Sequence, residues 1–363
     1  MGETIAVALS GGIDSMVAAG LLKAQGHRLI GLHFLHGYET GIPQGHTADA
    51  AGDPFAAVLN RARRTMAELA EQLGIPVHII DLRKEFQSRV VDYFVATYAA
   101  GATPNPCLVC NPSIKFDLLL RQARTLGAER LATGHYARIA PAEGHRRIRL
   151  LQGVDPQKDQ SYFLARLTQD QLAGAVLPLG DLHKSETRQM ARRLGLVAPV
   201  TGESQDVCFI RDNRYADFLG RSVGFKPQPG PVEDLHGNVI GRHPGLHHFT
   251  IGQRRGINCP AAAPYYVVRL DHKRNCLIVG GKEDLLQSRC TVTTINWIAP
   301  PPAAPMAIRV RIRYRHAAVP ATLVPTAAQQ AEIHFATPEA AVTPGQGAVF
   351  YCGEEVLGGG WIA

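Results

Sequence analysis

The sequence has little cysteine and no apolar run suited to crossing a membrane. Its 363 residues include 7 cysteines, far below the roughly 8–10% of disulfide-linked scaffolds, so we expect a reducing compartment. The charge-free stretch Cys290–Ile308 contains four prolines and cannot form a spanning helix. The chain enters a strand pattern at Thr4 without the charged and long apolar regions of a secretory signal. These absences predict a cytoplasmic protein that does not enter a membrane.

A strong excess of charge of one sign is also lacking. Lys and Arg number 38 against 31 Asp and Glu, which gives a net charge of +7, and 45% of the residues are hydrophobic. That balance excludes a disordered basic tail and indicates a folded protein. At roughly 100–200 residues per domain, the length indicates two or three domains.

Two kinds of pattern divide the chain near residue 204. Before it, short apolar runs alternate with helical periodicity, beginning with Thr4–Leu9 and Ile13–Gln25, which predicts an α/β domain with a doubly wound parallel sheet. The polar, glycine-rich stretch Gly37–Phe55 is expected to be a long loop. After residue 204, many short alternating runs predict a small β-barrel or sandwich. We expect an α/β domain over 1–204, a small central domain over 205–270 and a C-terminal β-barrel over 271–363.

The SGGIDS run, Ser10–Ser15, lies between the first predicted strand and the first predicted helix. Its glycines permit a tight turn close to a ligand, and the helix N-terminus offers N–H groups to a phosphate. Asp14 at the helix start could cap the helix or hold Mg²⁺ beside phosphates. The run is neither a Walker A loop nor a G-x-G-x-x-G fingerprint. It resembles the SGGxDS pyrophosphate loop of the ATP-pyrophosphatase superfamily, whose members split ATP between the α- and β-phosphates.

A second group of candidates contains three cysteines. Cys107 and Cys110 form a C-x-x-C pair in a proline-rich loop, just before a helix predicted over Ser113–Leu126. Cys208 lies on another predicted loop. C-x-x-C alone fits zinc, an iron–sulfur cluster or redox chemistry, and zinc would need a fourth ligand. Thiols that act together with ATP activation are typical of sulfur carried as a persulfide and released as a disulfide forms.

Five further motifs carry a resemblance to a known family. They are TPNP (Thr103–Pro106), IKF (Ile114–Phe116), ATGHY (Ala132–Tyr136), KDQSYFL (Lys158–Leu164) and FTIGQRRG (Phe249–Gly256). In this order they resemble the motifs of bacterial tRNA-specific 2-thiouridylases. The resemblance implies a PP-loop domain of the adenine nucleotide alpha-hydrolase type, a small central domain and a C-terminal β-barrel that contacts tRNA. It also implies ATP-dependent 2-thiolation of the wobble uridine in the anticodon, with a sulfur-relay or cysteine desulfurase protein as sulfur donor.

The same resemblance implies roles for individual residues. Cys110 matches the nucleophile, and Cys208 matches the cysteine that carries the persulfide and forms a transient disulfide with Cys110. Asn105 and Pro106 would line the target base. ATP would be held by Leu9, Ser10, Gly11, Gly12, Ile13, Asp14, Ser15, Met16, Gly134 and Phe34, the last against the adenine. Transfer RNA would be contacted by Lys158, Asp159, Gln160, Arg313 and Tyr314.

One position departs from the family pattern. Many members have Asp where this chain has Cys107, and that Asp is thought to assist the chemistry. Cys107, Cys110 and Cys208 could together hold a [4Fe-4S] cluster with one open iron. In the alternative, sulfur passes through a persulfide relay of Cys208 and Cys110, with Cys107 as a spare or resolving thiol. ATP and Mg²⁺ are the expected cofactors in both cases.

Arginines alternate with apolar residues in the predicted strand Ile308–Arg315. A period of two would place them on one strand face, which could follow RNA phosphates or simply be solvated; they are Arg309, Arg311, Arg313 and Arg315. Two other functions fit part of the sequence. Amidating ligases such as argininosuccinate or NAD synthetases share the ATP chemistry but need no cysteine pair. A non-catalytic tRNA-binding module would need neither the intact SGGIDS run nor both cysteines.

Overall fold

The structure, a computed structural model, describes residues 2–39, 54–142, 144, 147–200, 207–210, 214–222, 225–260 and 263–363. Seventeen strands lie in these ranges: β1 Thr4–Ala8, β2 Arg28–Leu35, β3 Val77–Asp81, β4 Arg130–Ala132, β5 Ala137–Pro141, β6 Ile148–Gln152, β7 Ala175–Val176, β8 Gly230–Glu233, β9 Val239–His243, β10 Tyr266–Asp271, β11 Cys276–Gly280, β12 Leu286–Trp297, β13 Met306–Arg311, β14 Val319–Ala327, β15 Gln330–Ala340, β16 Gly347–Cys352 and β17 Glu355–Ile362.

The helices concentrate in the first 221 residues of the chain. They are Ile13–Ala24, Pro54–Leu73, a continuous helix over 83–99, a second continuous helix over 107–125, Ser161–Leu164, Gln169–Ala173, Lys184–Arg193 and Tyr215–Arg221, with short 3₁₀ turns at Leu246–His248 and Glu283–Leu285. Of the loop expected at Gly37–Phe55, residues 40–53 lie outside the described ranges, and Phe55 belongs to the helix Pro54–Leu73. None of the helices in the described ranges is both long and apolar enough to span a membrane.

The N-terminal part is built on a parallel sheet with strand order β3-β2-β1-β4-β7. The central strand β1 (TIAVA) is buried along its middle, as expected for a parallel strand covered on both faces. The order reverses beside β1, which pairs with β2 on one side and β4 on the other. In open α/β sheets, ligands bind beyond the carboxyl ends of the strands at such a reversal. The predicted doubly wound α/β fold is confirmed, and its ligand-binding edge follows Ala8.

The helix over 107–125 begins six residues earlier than the prediction of Ser113. Its first turn is Cys107–Cys110, followed by a π-helical segment at Asn111–Leu119. Proline is compatible with the start of a helix, so Pro106 does not prevent the helix from beginning at Cys107. Pro112 removes a backbone donor inside the helix, and wider π turns accompany it rather than a break. Both thiols therefore lie in the first turn of the helix and not in a preceding loop.

Two β domains follow. The central sheet has the order β10-β11-β8-β9 and reaches Gly280, so the expected boundary between 270 and 271 falls inside β10. In the C-terminal part, six antiparallel strands close into a barrel through the pairing of β12 with β17. The predicted barrel is therefore confirmed. Strands β5 and β6 extend its sheet from the N-terminal part, with Val356 of β17 opposite Leu150 of β6.

The predicted strand face of four arginines is wrong. Strand β13 ends at Arg311, and Arg313 and Arg315 lie in the turn that follows. Arg311 is only 9% exposed, because its guanidinium lies against the carboxylate of Asp159 at 3.1 Å. A continuous basic surface along β13 therefore does not form, although Arg309, Arg313 and Arg315 are individually exposed.

Candidate active site

The SGGIDS run forms the turn between β1 and the helix Ile13–Ala24. Gly11 has a φ of +83°, a conformation that glycine adopts without strain. The buried hydroxyl of Ser15 donates to the carbonyl of Gly12 at 2.9 Å, and it lies 3.3 Å from the Ser10 hydroxyl. These contacts fix the turn while the helix start faces the carboxyl edge of the sheet. The loop thus offers unpaired helix N–H groups at the place where a phosphate would bind.

The remaining residues assigned to ATP divide by burial. Leu9 and Met16 belong to the apolar core beneath the loop, so their side chains support the loop and only their backbones can face a nucleotide. Phe34 is half-buried near the end of β2. Gly134 packs against the loop itself: a Cβ at this position would lie 2.9 Å from the backbone of Asp14 and Ser15. The ATGHY motif and the SGGIDS run therefore meet.

Asp14 is engaged by Lys184, which the sequence did not point to, and by Tyr136 of the ATGHY motif. Both its carboxylate oxygens accept from Nζ of Lys184, at 2.5 and 2.7 Å. The Tyr136 hydroxyl donates to the same carboxylate at 2.9 Å. Lys184 begins the helix Lys184–Arg193, whose residues read as an ordinary charged surface helix, so no sequence signal connects it to a loop 170 residues away.

The three cysteines predicted to act together meet around one apolar cluster. Cys110 is buried in a cluster that also contains Val207, Phe209 and Ile210, the neighbours of Cys208. Cys107 is half-buried and Cys208 is exposed, and the charges of both thiols act on Cys110. The helix that begins at Cys107 and the loop that carries Cys208 therefore pack against each other through this cluster. Of the GESQDVCFI run, residues 202–206 lie outside the described ranges.

Aromatic packing positions the Cys208 loop. The ring of Phe209 contacts the rings of Phe86, Phe94 and Phe218, with centroid distances of 5.3 to 5.7 Å. Tyr38 joins the same group at 5.8 Å from Phe209. The buried ring of Phe209, directly after Cys208, therefore anchors the loop. The apolar pair Phe209-Ile210 directly after Cys208 is the sequence feature that indicates this packing, although the motifs did not identify it.

Burial and a nearby lysine act in opposite directions on the thiols. Burial raises the pKa of Cys110 to about 12, and the Lys115 ammonium is the main influence that lowers it. Cys208 has solvent access, but many protein atoms lie close to its thiol, and this desolvation raises its pKa as well. The Lys115 ammonium again opposes the shift. A helix N-terminus ordinarily lowers a thiol pKa, but at Cys110 desolvation is the larger influence and the pKa is raised.

Lys115 also joins the thiols to the nucleotide loop. Its Nζ lies 3.5 Å from Nε2 of His135, whose Nδ1 lies 2.7 Å from the Thr133 hydroxyl. Burial and the Lys115 charge hold the pKa of His135 well below its ordinary value, so the ring is neutral. His135 directly follows Gly134, which packs on Asp14. The thiols and the phosphate loop therefore border one region at the edge of the sheet.

The residues assigned to the target base lie just before Cys107. Asn105 and Pro106 are both buried. The backbone N–H of Asn105 donates to the Tyr93 hydroxyl at 3.4 Å, and its side-chain oxygen accepts from the N–H of Leu108 at 3.4 Å. The preceding loop is held against the barrel, because the N–H of Thr103 donates to the carbonyl of Pro344. Asn105 and Pro106 therefore form a fixed, buried support directly before Cys107.

Asp159, which was expected to contact tRNA, is buried and hydrogen-bonded within the protein. It is 4% exposed, and its carboxylate accepts from the N–H groups of Gly153 and Ser161 and from the guanidinium of Arg311. Its neighbour Gln160 uses its side-chain oxygen to accept from the N–H of Tyr136 at 3.0 Å. Lys158 is half-buried beside them.

The two barrel residues assigned to tRNA differ in their surroundings. Arg313 is exposed in the turn after β13. Tyr314 stacks on Phe163 of the KDQSYFL motif with a centroid distance of 4.2 Å. Desolvation raises the pKa of the Tyr314 hydroxyl, and the nearby charge of Cys107 adds to this shift. The turn after β13 therefore lies beside the thiol site.

The donor sets expected for metals do not assemble in the described part of the chain. No group of three or more His, Cys, Asp or Glu side chains is arranged there to hold a metal ion, although all three cysteines are described. The charge of Asp14 is already paired with Lys184. In this arrangement the residues fit neither a three-cysteine cluster nor a Mg²⁺ site provided by the protein alone.

Comparison with known proteins finds matches along most of the chain. Three family models match: the tRNA methyl transferase HUP domain over 3–212, the tRNA methyl transferase PRC-barrel domain over 216–281 and the aminomethyltransferase beta-barrel domain over 287–362. Among solved structures, an NMN synthetase from Francisella tularensis covers 60% of this chain and 73% of its own, at a TM-score of 0.33 and 15% identity.

Curated relatives align from end to end. The tRNA-specific 2-thiouridylase MnmA of Desulfosudis oleivorans is 51% identical, with 99% of this chain and 94% of the relative covered. The protein of the same name from Geobacter metallireducens is 46% identical, with 99% and 96% covered. Since these relatives are 46% and 51% identical along 99% of this chain, the chain belongs to the tRNA-specific 2-thiouridylase family.

Proposed function

We propose that the chain is a tRNA-uridine 2-sulfurtransferase, which uses ATP to convert the wobble uridine of the anticodon to 2-thiouridine. One observation carries this proposal: the phosphate loop and the Cys110 and Cys208 thiols border the same edge of the sheet. Lys115 links them, because it acts on both thiols and lies 3.5 Å from His135, next to the loop. A site that combines ATP activation with two thiols is suited to replacing a carbonyl oxygen by sulfur.

The first step activates the base. With ATP on the SGGIDS loop, O2 of the uridine attacks the α-phosphorus, the bond from that phosphorus to the bridging oxygen breaks, and pyrophosphate leaves. The N3 proton is given up as O2 attacks. The N–H groups at the start of the helix Ile13–Ala24 stabilise the charge that develops on the phosphates. Adenylation turns the poor leaving group O2 into AMP.

The second step transfers sulfur. A persulfide on Cys208 attacks C2 with its terminal sulfur, and AMP leaves with the former O2. Cys110 then attacks Sγ of Cys208, the Cys208 sulfur–sulfur bond breaks, and the sulfur stays on C2 as a thiocarbonyl while N3 regains its proton. The two cysteines become a disulfide, which an external thiol reductant must reduce before the next turnover. Cys107 is a spare or resolving thiol in this scheme.

Substrate and partner contacts follow from the same proposal. Asn105 and Pro106 line the base, which an anticodon loop can turn out of its stack at low cost. The tRNA is contacted by Lys158, Gln160, Arg313 and Tyr314. Asp159 instead accepts hydrogen bonds from Arg311 and from the N–H of Ser161, inside the protein. A sulfur-relay or cysteine desulfurase protein supplies the persulfide, and the reaction takes place in the cytoplasm, where these substrates are found.

The cofactor assignments are limited by the donor atoms present. Mg²⁺ would arrive with the triphosphate and be held mainly by its phosphates, because Lys184 already neutralises Asp14. The three cysteines do not form a metal-binding group among the described residues. We therefore favour the persulfide relay over the [4Fe-4S] cluster.

The direct test replaces each transfer thiol. Cys110→Ser and Cys208→Ser should each abolish 2-thiouridine formation in tRNA while ATP binding persists. Cys352→Ser, at an exposed cysteine on the barrel, is the matched control and should thiolate normally. Pyrophosphate exchange into ATP should require tRNA, because the base is the group that is adenylated. Normal thiolation by either transfer-thiol variant, or exchange that needs no tRNA, would contradict the proposal.

A further inference from the structure

The contact between Lys184 and Asp14 lies directly on the phosphate loop. The ammonium approaches both carboxylate oxygens, at 2.5 and 2.7 Å, and its side chain is only 15% exposed. Asp14 is the second residue of the helix Ile13–Ala24. The pair is therefore fixed at the same helix start that faces a bound nucleotide.

A carboxylate at this point would oppose the ligand unless its charge is offset. The β- and γ-phosphates of ATP carry several negative charges, and unit charges a few ångströms apart interact strongly where protein replaces water. Asp14 is only partly exposed, so solvent screens it incompletely. The helix N-terminus favours the phosphates, but it is shared with the carboxylate. A cation in contact with Asp14 removes the repulsion.

The backbone around Lys184 holds that cation in place. The N–H of Lys184 donates to Oδ2 of Asp155 at 2.9 Å, and His183 and Glu186 form a capping box around the helix start. The ammonium also lies 5.7 Å from the ring of Tyr136, whose hydroxyl donates to Asp14. A lysine side chain loses considerable rotamer freedom when it is fixed, so these supports favour one conformation.

We propose that Lys184 is a positioning residue for the triphosphate, which acts through Asp14. It holds the Asp14 carboxylate at the helix start and cancels its charge where the β- and γ-phosphates dock. The inference rests on the proposed function, since it takes ATP as the ligand of the SGGIDS loop. It assigns the discrimination between ATP and AMP in part to a residue outside every motif of the sequence.

The test measures the dissociation constants of ATP and AMP for the full chain by titration calorimetry, at fixed Mg²⁺ and ionic strength. Lys184→Met should weaken ATP about tenfold (about 1.4 kcal/mol) and AMP less than about twofold, because AMP lacks the outer phosphates. Lys184→Arg should retain most of the ATP affinity. Lys23→Met is the matched control, because it removes a lysine from the last turn of the same loop helix and should change neither constant.

A double variant separates the two ways in which Lys184 could act. With Asp14→Asn in place, no carboxylate remains to be neutralised, so adding Lys184→Met should cost less than about twofold in ATP affinity. A full tenfold loss in that background would mean that Lys184 contacts the phosphates itself and would overturn the inference. Equal losses for ATP and AMP, or no loss for ATP, would overturn it as well. A wild-type chain that binds neither nucleotide would contradict the proposed function together with this inference.

Discussion

The two transfer thiols differ mainly in their access to solvent. Cys110 is buried, and desolvation raises its pKa to about 12, so little of it is thiolate at pH 8. Cys208 is exposed. We therefore expect iodoacetamide to alkylate Cys208 well before Cys110 at pH 8, and the rate at Cys110 to rise with pH, because deprotonation lies far above neutrality.

Peptide mapping by mass spectrometry follows both sites in one sample. Exposed Cys352 and buried Cys276, whose pKa is raised to about 11, provide internal references for rapid and slow alkylation. Alkylation of Cys110 at the rate of Cys352 would show that the helix start opens freely to solvent, contrary to the packing of its apolar cluster.

Gly134 tests how closely the ATGHY motif approaches the phosphate loop. In Gly134→Ala the new Cβ would lie 2.9 Å from the backbone of Asp14 and Ser15, so the loop must shift. We expect ATP affinity to fall about tenfold or more, which corresponds to about 1.4 kcal/mol. Gly220→Ala is the control, because no atom lies within 4 Å of its Cβ and alanine favours the surrounding helix. Wild-type ATP affinity in Gly134→Ala would contradict the close contact.

At the scale of single elements, local pattern predicted what local physics determines. The strand predicted at Thr4–Leu9 is observed at Thr4–Ala8, and the helix predicted at Ile13–Gln25 is observed at Ile13–Ala24, because hydrophobic periodicity is a local signal. Strands β5 and β6 were missed. Strand β6 pairs with β17, some 200 residues further along the chain, and β5 pairs with β6, while neither sequence alternates clearly. Pairing across such a distance leaves no local signal.

In the candidate site, too, features with a local sequence signal were predicted and long-range contacts were not. Motifs identified the loop and the thiols because glycine and cysteine are required there by conformation and chemistry. The contact of Lys184 with Asp14 was invisible, since a lysine at a helix start is typical of any solvated surface. The burial of Asp159 was not foreseen for a related reason. A charged residue in a polar motif is expected to be exposed, and only the fold provides the buried partner Arg311.

At the scale of the whole molecule, the KDQSYFL motif is a junction between the N-terminal part and the barrel. The Tyr162 hydroxyl donates to the carbonyl of Gly347 at 3.0 Å, and Phe163 stacks on Tyr314. Through Gln160 the same segment holds Tyr136, which contacts Asp14. The barrel turn proposed to contact tRNA is thus fixed relative to both the thiols and the nucleotide loop.

The buried ion pair of Asp159 and Arg311 should be the main electrostatic link in this junction. Arg311→Met leaves a buried carboxylate without its cation, which costs about 3–5 kcal/mol. Because several domains unfold, the measured quantity is the thermal midpoint, which we expect to fall by about 6 °C or more. Combining Arg311→Met with Asp159→Asn should restore part of the loss, since no unpaired charge remains.

Arg313→Met is the matched change two residues away. Arg313 is exposed, so its thermal midpoint should stay within about 1 °C of the wild-type value. Loss of one phosphate contact should instead reduce the salt dependence of tRNA binding by about one unit in the log–log slope. If Arg311→Met weakened tRNA binding at an unchanged midpoint, Arg311 would be an RNA contact and the junction would be held by its aromatic and backbone contacts alone.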